Sequence, residues 1–221
     1  AFPDKNFVPV YWMASEDHDF AEINYTNIGG KKIQWNEAVS GATGRLNIKA
    51  FRDCLNQYKG ILGLEGHATE LAQIVETAYG QHQNLADAMR YLVNALFGQY
   101  GLVIIDADDH RLKQHFAGVI KQDIIEQNSF KHITQSNAKL QTLGVHTQVN
   151  PREINFFYLH DNLRERIVEE GNDYHVLNTD LRFSKEQLEQ EIDTHPERFS
   201  PNVVMRPVYQ EYILPNLAYI G

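Results

Sequence analysis

Cysteine is almost absent: Cys54 stands alone in 221 residues. An internal disulfide and a cysteine-based zinc site are thereby excluded, and the usage fits a reducing cytoplasm. Cys54 lies among Phe51, Leu55 and Tyr58 at helical spacing, which reads as a buried structural thiol and not as a nucleophile. Long apolar runs are missing as well; none approaches the ~20 residues of a membrane span, so no membrane partner is expected. There is no Lys/Arg-rich block, and the formal charge is −9, which argues against a nucleic-acid phosphate footprint. The sequence has no glycine-rich phosphate loop, no Gly-x-Ser-x-Gly elbow and no His-Glu-x-x-His pair. Its 10 histidines are scattered without metal-ligand spacing on a helix, so no structural metal is expected, and His67, His82 and His132 read as solvated surface groups.

What is present is the composition of a globular protein, 43% hydrophobic and 22% charged, long enough for one large domain or two modest ones. Its densest chemistry lies at Phe7-Val8-Pro9-Val10-Tyr11-Trp12-Met13-Ala14-Ser15-Glu16-Asp17-His18-Asp19-Phe20. The first half reads as a strand buried on both faces of a parallel sheet, although so short a run also suits a buried helix. The second half turns abruptly polar, and ligands of open α/β sheets bind outside the carboxyl ends of the strands. Three carboxylates around one imidazole can position an amine, shuttle a proton or hold a divalent cation. The competing reading is a turn in which Ser15 or Asp17 caps a short helix starting near Phe20.

Further along, residues 22–28 and 31–36 flank Gly29-Gly30, a hairpin signal, and the alternation of Ile23 and Tyr25 with Asn24 and Thr26 suggests one buried face. Helical spacing follows over 48–62, over 69–79 with Gly80 as a stop, and from Asn84 to Gly98. Leu102-Val103-Ile104-Ile105-Asp106 is a second buried-strand candidate, and it too ends in acids and a histidine: Asp106, Asp108, Asp109, His110. Two such runs are what neighbouring parallel strands bring to a common rim; equally, Asp108 or Asp109 caps the helix that runs to about Gln127. Helical spacing resumes over 130–143. A hairpin is expected over 153–160 and 164–169, a third strand over 174–178, and a capping box at Ser184-Lys185-Glu186-Gln187. Pro201 suits a first helical position, and Pro207 should kink the apolar helix that follows.

Ser200, Asn202, Arg206, Tyr209, Gln210, Tyr212 and Asn216 are concentrated in this otherwise apolar segment. A buried Arg206 needs an acid such as Glu16, Asp17 or Asp106, or an anionic ligand for its planar fork. The last residues, Leu217-Ala218-Tyr219-Ile220-Gly221, read as a strand reaching its glycine turn. The chain therefore reads as a piece of a longer protein.

Together with Tyr100–Asp106, these stretches carry a resemblance. Residues 9–20, Pro151-Arg152-Glu153-Ile154-Asn155-Phe156-Phe157-Tyr158-Leu159, Arg164-Glu165-Arg166-Ile167 and the long block from Arg198 to Gly221 are similar to the bacillithiol biosynthesis cysteine-adding enzymes, in the family's order and over nearly the whole chain. The resemblance implies an α/β fold with a Rossmann-like parallel sheet core akin to class I aminoacyl-tRNA synthetases, interrupted by helical connecting segments and β-hairpins. Residues 1–47 would hold a core strand and a hairpin. Residues 48–150 would be connecting helices around core strand 102–106, and 151–221 a hairpin and the C-terminal helix and strand (216–220) of the core. It implies a ligase that adds L-cysteine to the amino group of glucosaminyl-malate, with ATP as the activating cofactor by analogy of fold. On chemical grounds His18, Asp17 and Glu16 are the candidate catalytic residues. Asp19, Asp106, Asn155, Asn202, Arg206, Tyr209 and Gln210 are the candidate substrate-binding residues, and no metal ligand is assigned. A cytoplasmic homodimer is expected, inactive without groups outside these residues. The alternatives are a nucleotidyltransferase-like enzyme of another substrate and a non-catalytic assembly module.

Overall fold

The computed structural model describes residues 4, 6–63 and 66–219, which fall into two compact units, Ala1–Ala107 and Asp108–Gly221. The first unit runs β1 (Val10–Met13), a single helical turn α1 (Phe20–Ile23), β2 (Tyr25–Ile28), β3 (Lys31–Gln34), α2 (Arg52–Leu62), α3 (Ala68–Gln81), α4 (Leu85–Phe97) and β4 (Val103–Asp106). The two apolar runs that each end in acid do pair in parallel, with Val10 opposite Val103 and Met13 opposite Asp106. Asp106 and the polar turn that follows Met13 thus reach one rim; Asp109 instead caps the helix that begins at His110. The strands are not buried on both faces as expected: Val10 is 43% and Val103 42% exposed. A sheet that has two strands among the described residues leaves part of each strand open to solvent.

The hairpin β2–β3 turns at Gly29 and Gly30, with φ of 56° and 74°. A two-residue connection of this hand needs positive φ at both positions, which glycine adopts without a steric penalty. Its buried face differs from the expected one. Ile23 belongs to α1 and Tyr25 is exposed, while Ile33 and Trp35 enter the core. Trp35 sits edge-on to Phe20 at 5.0 Å and to Phe51 at 5.6 Å, and Leu46, Ile48, Cys54 and Ala88 complete the cluster. Cys54 is buried and free, and desolvation first, then the charge of Asp53, pushes its thiol up from the ordinary value. α3 continues through Gly80 to Gln81, since one glycine weakens a helix without having to end it. His82, expected in solvent, is half-buried instead, its Nδ1 2.9 Å from the Ala78 carbonyl at that helix end. α4 is capped as its sequence predicts, Asn84 accepting from the Asp87 amide at 2.8 Å.

The second unit opens with α5 (His110–Glu126), capped by Asp109, and turns at Gln127, φ 52°, into α6 (Asn128–Thr142). Five strands follow: β5 (Phe156–His160), β6 (Leu163–Glu170), β7 (Asp173–Val176), β8 (Arg182–Ser184) and β9 (Phe199–Pro201), with α7 (Lys185–Thr194) before β9 and α8 (Arg206–Ile213) after it. The sheet order is β8-β7-β6-β5-β9, antiparallel throughout. One face carries Phe156, Tyr158 and Phe199 into a core with Phe116, Ile120 and Ile124 of α5 and Leu188 and Ile192 of α7. Burying each such side chain contributes roughly 1.5–3 kcal/mol.

Three expectations are corrected here. Pro201 ends β9 and does not start a helix. Pro207 lies in the first turn of α8, where no intrahelical partner is needed for its missing N–H, so it begins the helix and does not kink it. Residues 216–219 form no strand, with Leu217 85% and Tyr219 74% exposed; Ile220 lies outside the described residues. An apolar run becomes a strand only when a neighbouring strand takes its N–H and C=O groups, and among the described residues no strand pairs with this one. Among the described residues no helix is long and apolar enough to cross a membrane.

Candidate functional site

Beyond Met13 the chain turns tightly, with the Asp17 amide donating to the Ala14 carbonyl at 3.1 Å. This buries Ser15 and Glu16, each 6% exposed, before the chain emerges at Asp17, His18 and Asp19. A second loop straps the turn down: the Gly44 amide donates to the Ser15 carbonyl at 2.8 Å and the Thr43 amide to the Asp17 carbonyl at 2.7 Å. A Cβ on Gly44 would lie 2.6 Å from Ser15 Cβ and 2.8 Å from its carbonyl oxygen. The glycine-punctuated stretch 40–44 is therefore a close-approach surface for the rim and not a phosphate cradle.

Asp106, at the end of β4, is the hub beneath this turn. Ser15 Oγ donates to its Oδ1, and Arg90 of α4 donates from Nη2 to its Oδ2 at 2.9 Å. The Asp106 side chain is 13% exposed and that of Arg90 44%, so the pair is only half-screened and orients Ser15 as well as balancing charge. Arg90 also approaches Asp87 at 3.6 Å. Sequence reasoning placed Asp106 at the rim but missed Arg90, because an arginine on an amphipathic helix carries no mark of which acid it meets.

A cavity of ≈ 240 Å³ opens against this turn. Tyr11, Met13, Leu85 and Met89 make its apolar side; Ser15, Thr43, Asp17, Asp19 and Glu22 make its polar side. His18 stands next to two of those acids, its Nδ1 3.4 Å from Asp17 Oδ1 and its Nε2 3.9 Å from Asp19 Oδ1. Asp17 Oδ1 also accepts the His18 amide at 2.8 Å, which fixes the carboxylate beside the ring. The ligand atoms of Asp17, His18 and Asp19 lie within 4.8 Å of one another, a spacing that suits a divalent cation, although all three are open to solvent. Acidic side chains thus line a small, part-apolar hollow, and the His18 imidazole stands beside two of them, outside its lining.

The other candidates lie in the second unit. Asn155 is fully buried, and its amide has four internal partners. Nδ2 donates to Ser129 Oγ at 2.8 Å and the Arg152 carbonyl at 2.7 Å; Oδ1 accepts from the Arg152 amide at 3.2 Å and Asn202 Nδ2 at 2.9 Å. Asn202 Oδ1 caps the turn into α8 through the Val204 amide at 2.8 Å. The network continues to buried Asp123, which takes the Ser129 amide at 2.7 Å and hydroxyl at 2.9 Å; desolvation pushes its carboxyl up from the ordinary value. Tyr209 is fully buried against Phe116, ring centroids 4.8 Å apart. Arg206 is half-buried, not buried as expected, and Gln210 is half-buried beside it on α8. Lys113 escaped sequence reasoning altogether. It is fully buried, its Nζ 2.6 Å from the Phe199 carbonyl and 5.1 Å from the Tyr209 ring centroid. Its apolar stem at helical spacing is the one signal that would have placed it inside.

Parallel strands that carry a polar cluster at their carboxyl rim, joined through helices, define an α/β protein of Rossmann-like kind. The chain belongs to the family described as bacillithiol biosynthesis BshC, N-terminal Rossmann-like domain, whose profile matches residues 1–221. It is 53% identical over 220 residues to a protein of Flavobacterium johnsoniae named "Putative cysteine ligase BshC", a match covering 100% of this chain and 41% of that protein. Proteins of the same name from Cytophaga hutchinsonii and Staphylococcus haemolyticus are 43% and 29% identical, over 99% and 97% of the chain. The chain spans about two-fifths of the length of the curated relatives it matches.

Proposed function

We propose that this chain supplies the amine-binding part of a ligase that joins L-cysteine to the amino group of glucosaminyl-malate. The observation that carries the reading is the cavity at the β1–β4 rim, where Asp17, Asp19 and Glu22 face an apolar wall. Three carboxylates attract an ammonium group, and the names of the relatives point to cysteine ligation.

An ammonium nitrogen has no free electron pair, so it must lose a proton before it attacks. His18 takes that proton, oriented by Asp17 at 3.4 Å. Glu16, buried in the same turn, is the further acidic residue of this catalytic set. The new bond joins the amine nitrogen to the cysteine carbonyl carbon. The bond from that carbon to its leaving group breaks, and the leaving group departs with the electron pair. ATP is the activator suggested by analogy of fold. A hollow of ≈ 240 Å³ lined by three carboxylates does not fit a triphosphate, so no step is assigned to ATP at this cavity.

Separate calorimetric titrations of the chain with glucosaminyl-malate, L-cysteine and ATP test the reading. Glucosaminyl-malate should bind, and Asp17→Asn and Asp19→Asn should each weaken it about tenfold or more, with melting temperatures unchanged. In a protein of the relatives' full length, His18→Ala should lower turnover by roughly 10²–10⁴-fold. Binding of ATP with neither amine substrate would favour the nucleotidyltransferase reading. Binding of none of the three would favour an assembly role.

A further inference from the structure

An open hollow of ≈ 320 Å³ lies within the second unit, between α7 and β8. Gln187, Gln190, Glu191 and Thr194 line it from α7, at the three- and four-residue steps that gather side chains on one side of a helix. Leu188 and Ile192 of the same helix are fully buried in the core, which turns the polar stripe outward. Arg182 and Phe183 of β8 complete the lining. The ligase reading uses none of these residues.

All but one of the polar side chains at the hollow are held by a bond that leaves part of the group unused. Glu191 takes the Tyr158 hydroxyl at 2.7 Å and Arg198 Nη1 at 2.6 Å, both on Oε1. Its side chain is only 17% exposed, and among the described residues nothing donates to Oε2. Burial first, then the bond to Glu191, pushes the Tyr158 phenol up to about 12, so it remains a donor. Gln187 Oε1 accepts the Ser184 amide at 2.8 Å, which leaves Nε2 free to donate. Arg182 gives Nη1 to Glu170 at 3.0 Å and keeps its other N–H groups. Thr194 Oγ1 donates to the Gln190 carbonyl at 2.8 Å and keeps its lone pairs. The Gln190 side-chain amide, a donor and an acceptor, has no partner among the described residues.

Both charged groups have their counter-ions in place, Arg198 for Glu191 and Glu170 for Arg182, so the hollow carries no net charge that would select an ion. Donors and acceptors stand side by side in it, and a hydroxyl both gives and accepts a hydrogen bond. A nucleobase draws much of its binding from stacking on aromatic faces, and Phe183 is the one aromatic residue of the lining. We propose that this hollow binds a single neutral, hydroxyl-rich ring, a sugar or a cyclitol. Glu191, Gln187 and Gln190 take its hydroxyls, and Phe183 meets its C–H groups. The volume is at the small end of ligand sites and suits one ring, not a chain. Groups held in place before the ligand arrives lose little freedom when it binds. This site does not rest on the ligase reading, which concerns residues of the first unit.

The probes are methyl α-D-glucopyranoside and myo-inositol, with adenine as the flat, hydroxyl-free comparison. Each is titrated separately into the isotope-labelled chain and followed by the NMR shifts of its backbone amides. At least one polyol should shift residues 182–194 saturably, with a dissociation constant in the millimolar range. Gln190→Ala and Arg182→Gln replace exposed side chains, so the fold tolerates both, and each should weaken the binding roughly threefold or more. Binding of the glucoside alone marks a sugar site, of inositol alone a cyclitol site, and of both a general ring-polyol site. Three results overturn the proposal: no saturable shift of these residues with either polyol, adenine binding there at least as tightly as the polyols, or polyol binding that either substitution leaves unchanged. The second would mark a nucleobase site instead.

Discussion

Gly44 and Gly60 are the same residue type in opposite circumstances. At Gly44 an added Cβ would meet Ser15 Cβ at 2.6 Å and its carbonyl oxygen at 2.8 Å, whereas at Gly60, inside α2, nothing lies within 4 Å. The first glycine allows the strap to approach the rim; the second only loosens a helix. Gly44→Ala should lower stability by about 1–3 kcal/mol, as overpacking does. Gly60→Ala should raise it by roughly 0.5–1 kcal/mol. Denaturant midpoints of the two variants check both signs, and a neutral Gly44→Ala would show that the rim yields easily. Neither distinction was legible in the sequence, since a glycine discloses freedom at its position but not what stands next to it.

Elements were legible where their own ends carry the signal. Asn84 and Asp109 cap α4 and α5 through short bonds to backbone amides two or three residues on. At the start of α7 the Gln187 amide donates to Ser184 Oγ at 3.3 Å, and the Ser184 amide donates to Gln187 Oε1 at 2.8 Å. That reciprocal box was readable from four residues because both partners lie within one turn. Ser184→Ala should reduce stability by about 0.5–2 kcal/mol, measured by chemical denaturation. Gln187→Ala, which leaves the serine bond in place, should reduce it less. By contrast β9 (Phe199–Pro201) was read as the approach to a helix. Three residues hold no period of their own, and they are a strand because Tyr158 and Phe156 of β5 lie opposite Phe199 and Pro201.

The net negative charge makes acid stability a property of the whole molecule, and particular carboxylates set its direction. Burial of Glu197 opposes its ionisation, yet His110 at 2.8 Å and His195 at 3.3 Å bind its oxygens and hold it below the ordinary 4.5. The hydrogen bond from Arg182 holds Glu170 below the same value. Both are more acidic in the folded state. The stability they lend is therefore complete above 4.5, the unfolded value, and is lost as pH falls through their lower folded values. Asp123 acts in the opposite sense: its raised carboxyl favours the folded state in acid and softens the loss. Denaturation midpoints recorded from pH 6 to pH 3 should fall, and Glu197→Gln should make the fall shallower. An unchanged slope in that variant would show that the histidine contacts carry no stability.

Hydrophobic period, caps and glycine turns act over a few residues, so the sequence by itself determined α4, α5 and α7, the Gly29-Gly30 hairpin, the β5–β6 hairpin and the two apolar runs that end in acid. It also determined, through the order of its motifs, the family to which the chain belongs. The tertiary structure decided which distant groups meet. It set Met13 opposite Asp106, brought Arg90 of α4 to Asp106, and buried Lys113 against Phe199 and Tyr209. It also withheld a strand from residues 216–219, whose apolar pattern had suggested one. The division follows from the range of the forces. A cap or a turn is completed by its own neighbours in the chain, whereas a ladder, an ion pair or a cavity needs a partner that only the folded backbone brings within reach.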